Sequence, residues 1–228
     1  MSARGRAAFP APRIVLLVEE EPLEIDRVSE RDFETLEAVG RLYEEAFPAA
    51  ERKPRSFISE AAARVDYELL VIRAQEQVAG FAVIYLAPGH RLQLIEYMAV
   101  MPHLRGRGLG TLLFEDIVRR ANGNLLLLEV EAEDPELSTE SDAVRRKAFY
   151  RRSGCRQLGD LRYTMPRVAA AAPPVMHLFV QGCTSNCVSK TELATWLTDI
   201  FHRVYGVEEA QHPVQSMLRN ERESIPLD

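Results

Sequence analysis

The segment from Met98 to Ala121 constrains this chain more than any other. An apolar run ending at Val100 leads into Arg105-Gly106-Arg107-Gly108-Leu109-Gly110 and then into the helical stripe Leu109, Leu113, Ile117. A strand, a glycine-rich turn and a helix in that order place free backbone N–H groups at a helix N-terminus, where they can hold phosphate. Glycine supplies the positive φ of such a turn and lets a ligand approach the backbone. The spacing is not that of a P-loop, because no Lys-Ser or Lys-Thr follows the glycines. It is also a poor dinucleotide fingerprint, since no acidic residue closes a following strand at the usual distance.

Arg105, Gly108 and Gly110 fit the pattern Arg/Gln-x-x-Gly-x-Gly/Ala. In this the segment resembles the acyl-CoA loop of the GNAT superfamily of N-acetyltransferases. Leu125 to Glu131 is similar to the family's next strand. Lys147 to Cys155 resembles its Phe-Tyr-x-x-x-Gly-Phe segment, with Cys155 in place of the last Phe. The resemblance covers Leu23 to Gln181 and implies the GNAT fold. That is an α/β (α+β) architecture with a mixed, mostly antiparallel sheet and helices on both faces. In it, the strand before the glycine loop and the strand after its helix splay apart.

The pattern along the chain predicts an N-terminal tail over 1–22, an acyltransferase domain over 23–181 and a C-terminal helical extension and tail over 182–228. The basic, Ala/Pro-rich start is expected to be disordered. Leu23 to Val28 reads as a first strand, followed by a helix capped at Ser29 and ending before Pro48. A second helix is expected over Ser56 to Val65. Glu68 to Ala74 and Val78 to Ala87 read as a hairpin around Gln75-Glu76-Gln77, and Gln93 to Val100 as the strand feeding the glycine loop. Glu133 to Glu140 reads as an acidic loop, Arg162 to Val168 as a strand, Ala169 to Pro174 as a connection and Val175 to Gln181 as a strand. Ser189-Lys190-Thr191-Glu192 is a capping box opening an amphipathic helix marked by Leu193, Trp196, Leu197, Ile200 and Phe201. That face could pack on its own domain, on a partner subunit or over an acceptor site. Val207 to Asp228 reads as a loose polar tail.

The formal charge of −6 argues against a general nucleic-acid binder. Basic residues nonetheless gather around the two motifs, which suits a small anionic ligand. No apolar run is long enough for a signal segment or membrane span. Three cysteines form no disulfide framework, so a cytoplasmic protein with reduced thiols is expected. The Cys183–Cys187 spacing is not a usual zinc spacing, and no metal is expected.

Acyl transfer from a thioester to an amine needs a held donor, a neutral amine, an oxyanion donor and a proton for the thiolate. The resemblance implies acetyl-CoA, or another acyl-CoA, as co-substrate. It implies a pyrophosphate site made by Arg105, Gly106, Arg107, Gly108, Leu109, Gly110 and Thr111, with an oxyanion donor near Val100. Arg151 or Arg152 could reach the 3′-phosphate, or form a solvated helix face. Tyr150 is carried over as general acid; the alternative is a packed structural tyrosine. Glu96 is the candidate general base, read as sharing a face with Leu92, Leu94, Met98 and Val100. Its alternatives are a site for the acceptor's charge or a structural ion pair, and Glu129 is the reserve base. Many relatives carry Asn where Ala143 stands, which puts one pantetheine contact in doubt. The expected activity is N-acetylation of a small-molecule or peptide primary amine, without nucleic acid or membrane and with a homodimer left open. The competing readings are a longer acyl donor acting on a peptide or protein amine, and an acyl-CoA-binding module without turnover.

Overall fold

The computed structural model describes residues 15–18, 21–49, 51–132, 142–159, 161–168 and 175–228. In chain order, β1 (Val15–Val18) and β2 (Glu21–Arg27) lead to α1 (Phe33–Ala46) and α2 (Phe57–Ala63). Next come β3 (Tyr67–Ala74), β4 (Gln77–Leu86), β5 (Leu92–Val100), α3 (Leu109–Ala121) and β6 (Leu125–Glu131). They are followed by α4 (Asp142–Arg152), β7 (Arg156–Gln157) and β8 (Met176–Gln181). The C-terminal part adds β9 (Cys187–Ser189), α5 (Lys190–Arg203), α6 (Gln211–Leu218) and β10 (Ser224–Pro226).

Strands β1 to β8 form one sheet in the order β1-β2-β3-β4-β5-β6-β8-β7. Every ladder is antiparallel except β5–β6, which is parallel because α3 crosses over between them. The tight β3–β4 hairpin turns at Gln75 and Glu76, with φ of 50° and 64°. Two positive φ values match the twist that paired strands require. Alternating residues bury two cores. On one face α1, α2, α5 and α6 pack over Leu69, Val71, Phe81, Val83 and Tyr85. On the other, α3 and α4 pack over Leu70, Ile72, Ala82, Ile84 and Leu128.

Several boundaries differ from the sequence reading. The cap of α1 is Asp32, whose carboxylate accepts from the Thr35 N–H at 3.1 Å, rather than Ser29. Within residues 1–22, Val15–Val18 forms β1 against β2. Arg162 to Val168 is not a strand: Tyr163 makes a single bridge to Met176, and Pro166 supplies no N–H for a ladder. Val207 to Asp228 is not a loose tail. It folds back as α6 and β10, because Ala210, Val214, Leu218 and Ile225 are buried on one side of an otherwise polar segment. The start expected to be disordered, the acidic loop expected over 133–140 and the connection expected over 169–174 lie outside the described residues.

Helix α5 packs on the sheet of its own chain. Ser189 Oγ accepts from the Glu192 N–H at 3.1 Å, as the capping box predicts. Trp196, Leu197, Ile200 and Phe201 are buried in the same core as Tyr67 and Tyr85. The Tyr85 hydroxyl donates to Asp199 at 2.7 Å and pins the helix to β4. Trp196→Ala is expected to cost about 3–5 kcal/mol. The fall in denaturant midpoint at unchanged m-value measures it.

Candidate active site

The β5–β6 ladder runs from Leu92↔Leu125 to Ile95↔Leu128 and stops there. The next residue on each strand is a glutamate, Glu96 and Glu129. Beyond them β6 continues its pairing with β8 as far as Glu131↔Met176, while β5 stays with β4. The two strands therefore diverge at a pair of carboxylates.

A second irregularity falls at Glu96. Ile84 pairs with Ile95 and Val83 with Tyr97, so Glu96 is an extra residue with no partner on β4. One inserted residue flips the side-chain alternation beyond it. Leu92, Leu94 and Tyr97 lie in the core under α1 and α5, whereas Ile95, Met98 and Val100 pack toward α3. The expectation that Glu96 shares a face with Met98 and Val100 is therefore corrected. Simple alternation cannot foresee the bulge, and Glu96 sits on the α1 side with Leu92 and Leu94.

The Glu96 side chain is only 3% exposed, and it pairs with the Lys53 ammonium from the α1–α2 loop. The Tyr67 hydroxyl donates to its other oxygen at 3.0 Å. Burial pushes its pKa up, while Lys53 and Tyr67 pull it down. Glu129 takes hydrogen bonds from the Tyr163 and Tyr205 hydroxyls. Burial raises its pKa to about 7, against the pull of those two donors.

The glycine loop opens on the other side of the splay. Gly106 and Gly108 have φ of 80° and 83°, and Gly108 is the residue from which α3 starts. A Cβ added at either position would meet no atom within 4 Å, so both glycines border open space. The Met101 N–H donates to the Ala79 carbonyl at 2.9 Å, which fixes the phase of the β4–β5 ladder. In that phase the N–H and C=O of Val100 point away from β4, toward the splay. The Val100 carbonyl accepts from Arg105 Nε at 3.4 Å.

A cleft of about 760 Å³ follows the loop, lined by Val100, Arg105, Gly106, Gly108, Leu109, Gly110 and Thr111. Its opposite wall is α4, with Arg145, Arg146, Phe149, Tyr150 and Arg152. Arg107 and Arg151 are exposed and stand outside that lining, so of the two α4 arginines singled out for a phosphate only Arg152 borders the cleft. A smaller cavity of about 70 Å³ holds Glu51, Glu96, Glu129 and Tyr205 at its wall. Phe47, Met98, Arg146 and Tyr150 line both spaces, which places Tyr150 between loop and carboxylates. Tyr150 is buried against Phe114 and Phe149, with ring centroids 5.7 and 5.1 Å away. Burial raises its pKa to about 12, so it carries its proton at neutral pH.

The structure thus gathers Glu96, Glu129, Tyr150 and Val100 at one gap beside the glycine loop. A thioester arm lying in the cleft would face a proton donor, a backbone amide and two carboxylates. Backbone N–H groups, arginines and glycines bordering open space also fit a pyrophosphate. The sequence reading gave Lys53 no role, nor did it give one to the tyrosines Tyr67, Tyr163 and Tyr205. Their sole signal was aromatic residue type, which packing explains equally well. Among the described residues, no group of three or more His, Cys, Asp or Glu side chains is placed to share a metal ion. Nor is any helix there long and apolar enough to cross a membrane.

Residues 65–155 match the family model described as an acetyltransferase (GNAT) domain. No curated protein sequence matches. Among solved structures, a putative GNAT-family acetyltransferase from Bacteroides thetaiotaomicron aligns at a TM-score of 0.67 and 22% identity, covering 81% of this chain and 99% of that one. The ribosomal-protein-S18-alanine N-acetyltransferase of Escherichia coli aligns at 0.52 and 18% identity, over 69% of this chain and 92% of its own. An aminoglycoside 6′-N-acetyltransferase complexed with coenzyme A aligns at 0.54 and 12% identity, over 69% and 95%.

Proposed function

Since the chain belongs to the GNAT superfamily of acetyltransferases, we propose that it transfers the acyl group of an acyl-CoA, acetyl-CoA foremost, to a primary amine. The observation that carries this reading is the divergence of β5 and β6 at Glu96 and Glu129, open to the glycine-loop cleft through Tyr150. The loop amides from Arg105 to Gly110 hold the pyrophosphate, Arg105 and Arg152 add charge, and the pantetheine arm lies along β5. Glu96 takes the proton that the incoming ammonium must lose. The neutral amine attacks the thioester carbonyl, and the Val100 N–H stabilises the oxyanion. As the tetrahedral intermediate collapses, the C–S bond breaks and Tyr150 protonates the departing thiolate. The acceptor is a small-molecule or peptide amine, in keeping with the S18-alanine and aminoglycoside enzymes of the same fold. Three cysteines without a disulfide fit a cytoplasmic setting.

Calorimetric titration with acetyl-CoA tests the donor site, with Gly108→Val as control. At φ of 83° a β-branched residue is strained. That strain is about 1–2 kcal/mol or more, and it falls on the loop that must hold phosphate. Affinity is expected to drop about tenfold or more, in line with that strain. Equal binding by both proteins would refute the loop as the pyrophosphate site. Acetyl-CoA binding without acylation of any amine in a broad panel would favour a non-catalytic module.

A further inference from the structure

We propose that Lys53 is a positioning residue for Glu96, holding that carboxylate ionised and aimed into the gap between β5 and β6. The inference rests on the reading of Glu96 as the base. Lys53 lies outside the segment that matches the family, in the loop between α1 and α2, yet the fold fixes it closely. The Tyr43 hydroxyl donates to its carbonyl at 3.2 Å, and its N–H donates to the Tyr97 hydroxyl at 3.3 Å. Tyr97 in turn donates to the Glu51 carbonyl at 3.3 Å, so one tyrosine from α1 and one from β5 clamp the loop. The ammonium then sits over the Phe57 ring, 4.2 Å from its centroid, and against Glu96.

This contact matters because two buried glutamates, Glu96 and Glu129, line one small cavity together with Glu51. Like charges so close oppose each other's ionisation, and burial opposes both. Lys53 breaks the symmetry, since it pairs with Glu96, whereas among the described residues the donors to Glu129 are neutral hydroxyls. The other groups acting on or facing Glu96 are Tyr67 as a donor, Arg64 as a more distant cation, Glu129 as the opposing anion, and Glu51 and Arg146 across the same cavity. Tyr43, Tyr97 and Tyr205 also feel its charge but stay protonated at neutral pH. Without Lys53, Glu96 would retain its proton to higher pH and accept the amine's proton poorly at neutrality.

The test is the pH profile of kcat/KM for acetyl transfer to an amine accepted by the wild type, measured for Lys53→Met and Lys53→Arg. Lys53→Met should move the acid limb upward by about one pH unit or more, the effect of removing an opposite charge in contact. It should lower turnover at pH 7 accordingly and leave KM for acetyl-CoA unchanged. Lys53→Arg keeps the charge and should return the limb toward the wild-type position. If Lys53→Met fails to fold, Lys53→Gln, which keeps a donor without the charge, carries the same expectation. A folded Lys53→Met or Lys53→Gln protein with an unmoved acid limb would overturn the inference and leave a structural ion pair. Glu96→Gln separates the two levels. If that variant keeps full activity, the base assignment itself fails. If it is inactive while the neutral Lys53 variants titrate normally, only the role of Lys53 fails.

Discussion

Glu96→Gln is expected to lower kcat at neutral pH by about 10²- to 10⁴-fold, the usual contribution of a positioned base. The substitution keeps the size of the side chain and can still meet the Tyr67 hydroxyl, so folding should survive it. It removes the proton acceptor and leaves Lys53 facing a neutral amide. KM for acyl-CoA should change little, because the glycine loop lies on the far side of the splay. The wild-type rate should rise with pH, since burial raises the pKa of Glu96 and only the ionised form can act. In Glu96→Gln that acid limb should disappear, and residual turnover should track the amine's own deprotonation. Steady-state kinetics over pH 5 to 9 would show both effects. Unchanged kcat would move the base role to Glu129, whose pKa of about 7 also suits it.

Tyr150→Phe should lower kcat by about 10²-fold or more, again with little effect on acyl-CoA affinity. The aromatic contacts with Phe114 and Phe149 remain, so a stability loss is not the expected cause. A phenol raised to about pKa 12 by burial stays protonated throughout the working range. The defect should therefore be nearly independent of pH, unlike that of Glu96→Gln. Donors with a more acidic thiol leaving group need less help from an acid, and for them the variant should recover. If it is equally impaired with every thioester, Tyr150 is packing rather than proton donation.

Much of this was legible in the residues because it is local. Glycine spacing, helix stripes and capping boxes act over a few residues, so the β5–loop–α3 unit and the cap at Ser189 could be read directly. Misreadings fell where competing local signals were close to equal. Ser29 and Asp32 are both good caps, and the hydrogen bond to Thr35 selects Asp32. Residues 207–228 look polar because their apolar positions are sparse, yet Val214, Leu218 and Ile225 suffice once α5 offers a surface. By itself, then, the sequence determined the glycine-rich loop ahead of α3, the segment carrying Tyr150 and the presence of Glu96 on the preceding strand. Tertiary structure decided what those groups face. The extra residue Glu96 in β5 turned Met98 and Val100 away from the face that it shares with Leu92 and Leu94, and the end of the β5–β6 ladder set Glu129 beside it. Chain folding over long separations brought Lys53, Tyr163 and Tyr205 onto the two carboxylates. Register and long-range contacts depend on how whole strands and helices pack together, which no periodicity within a single segment records.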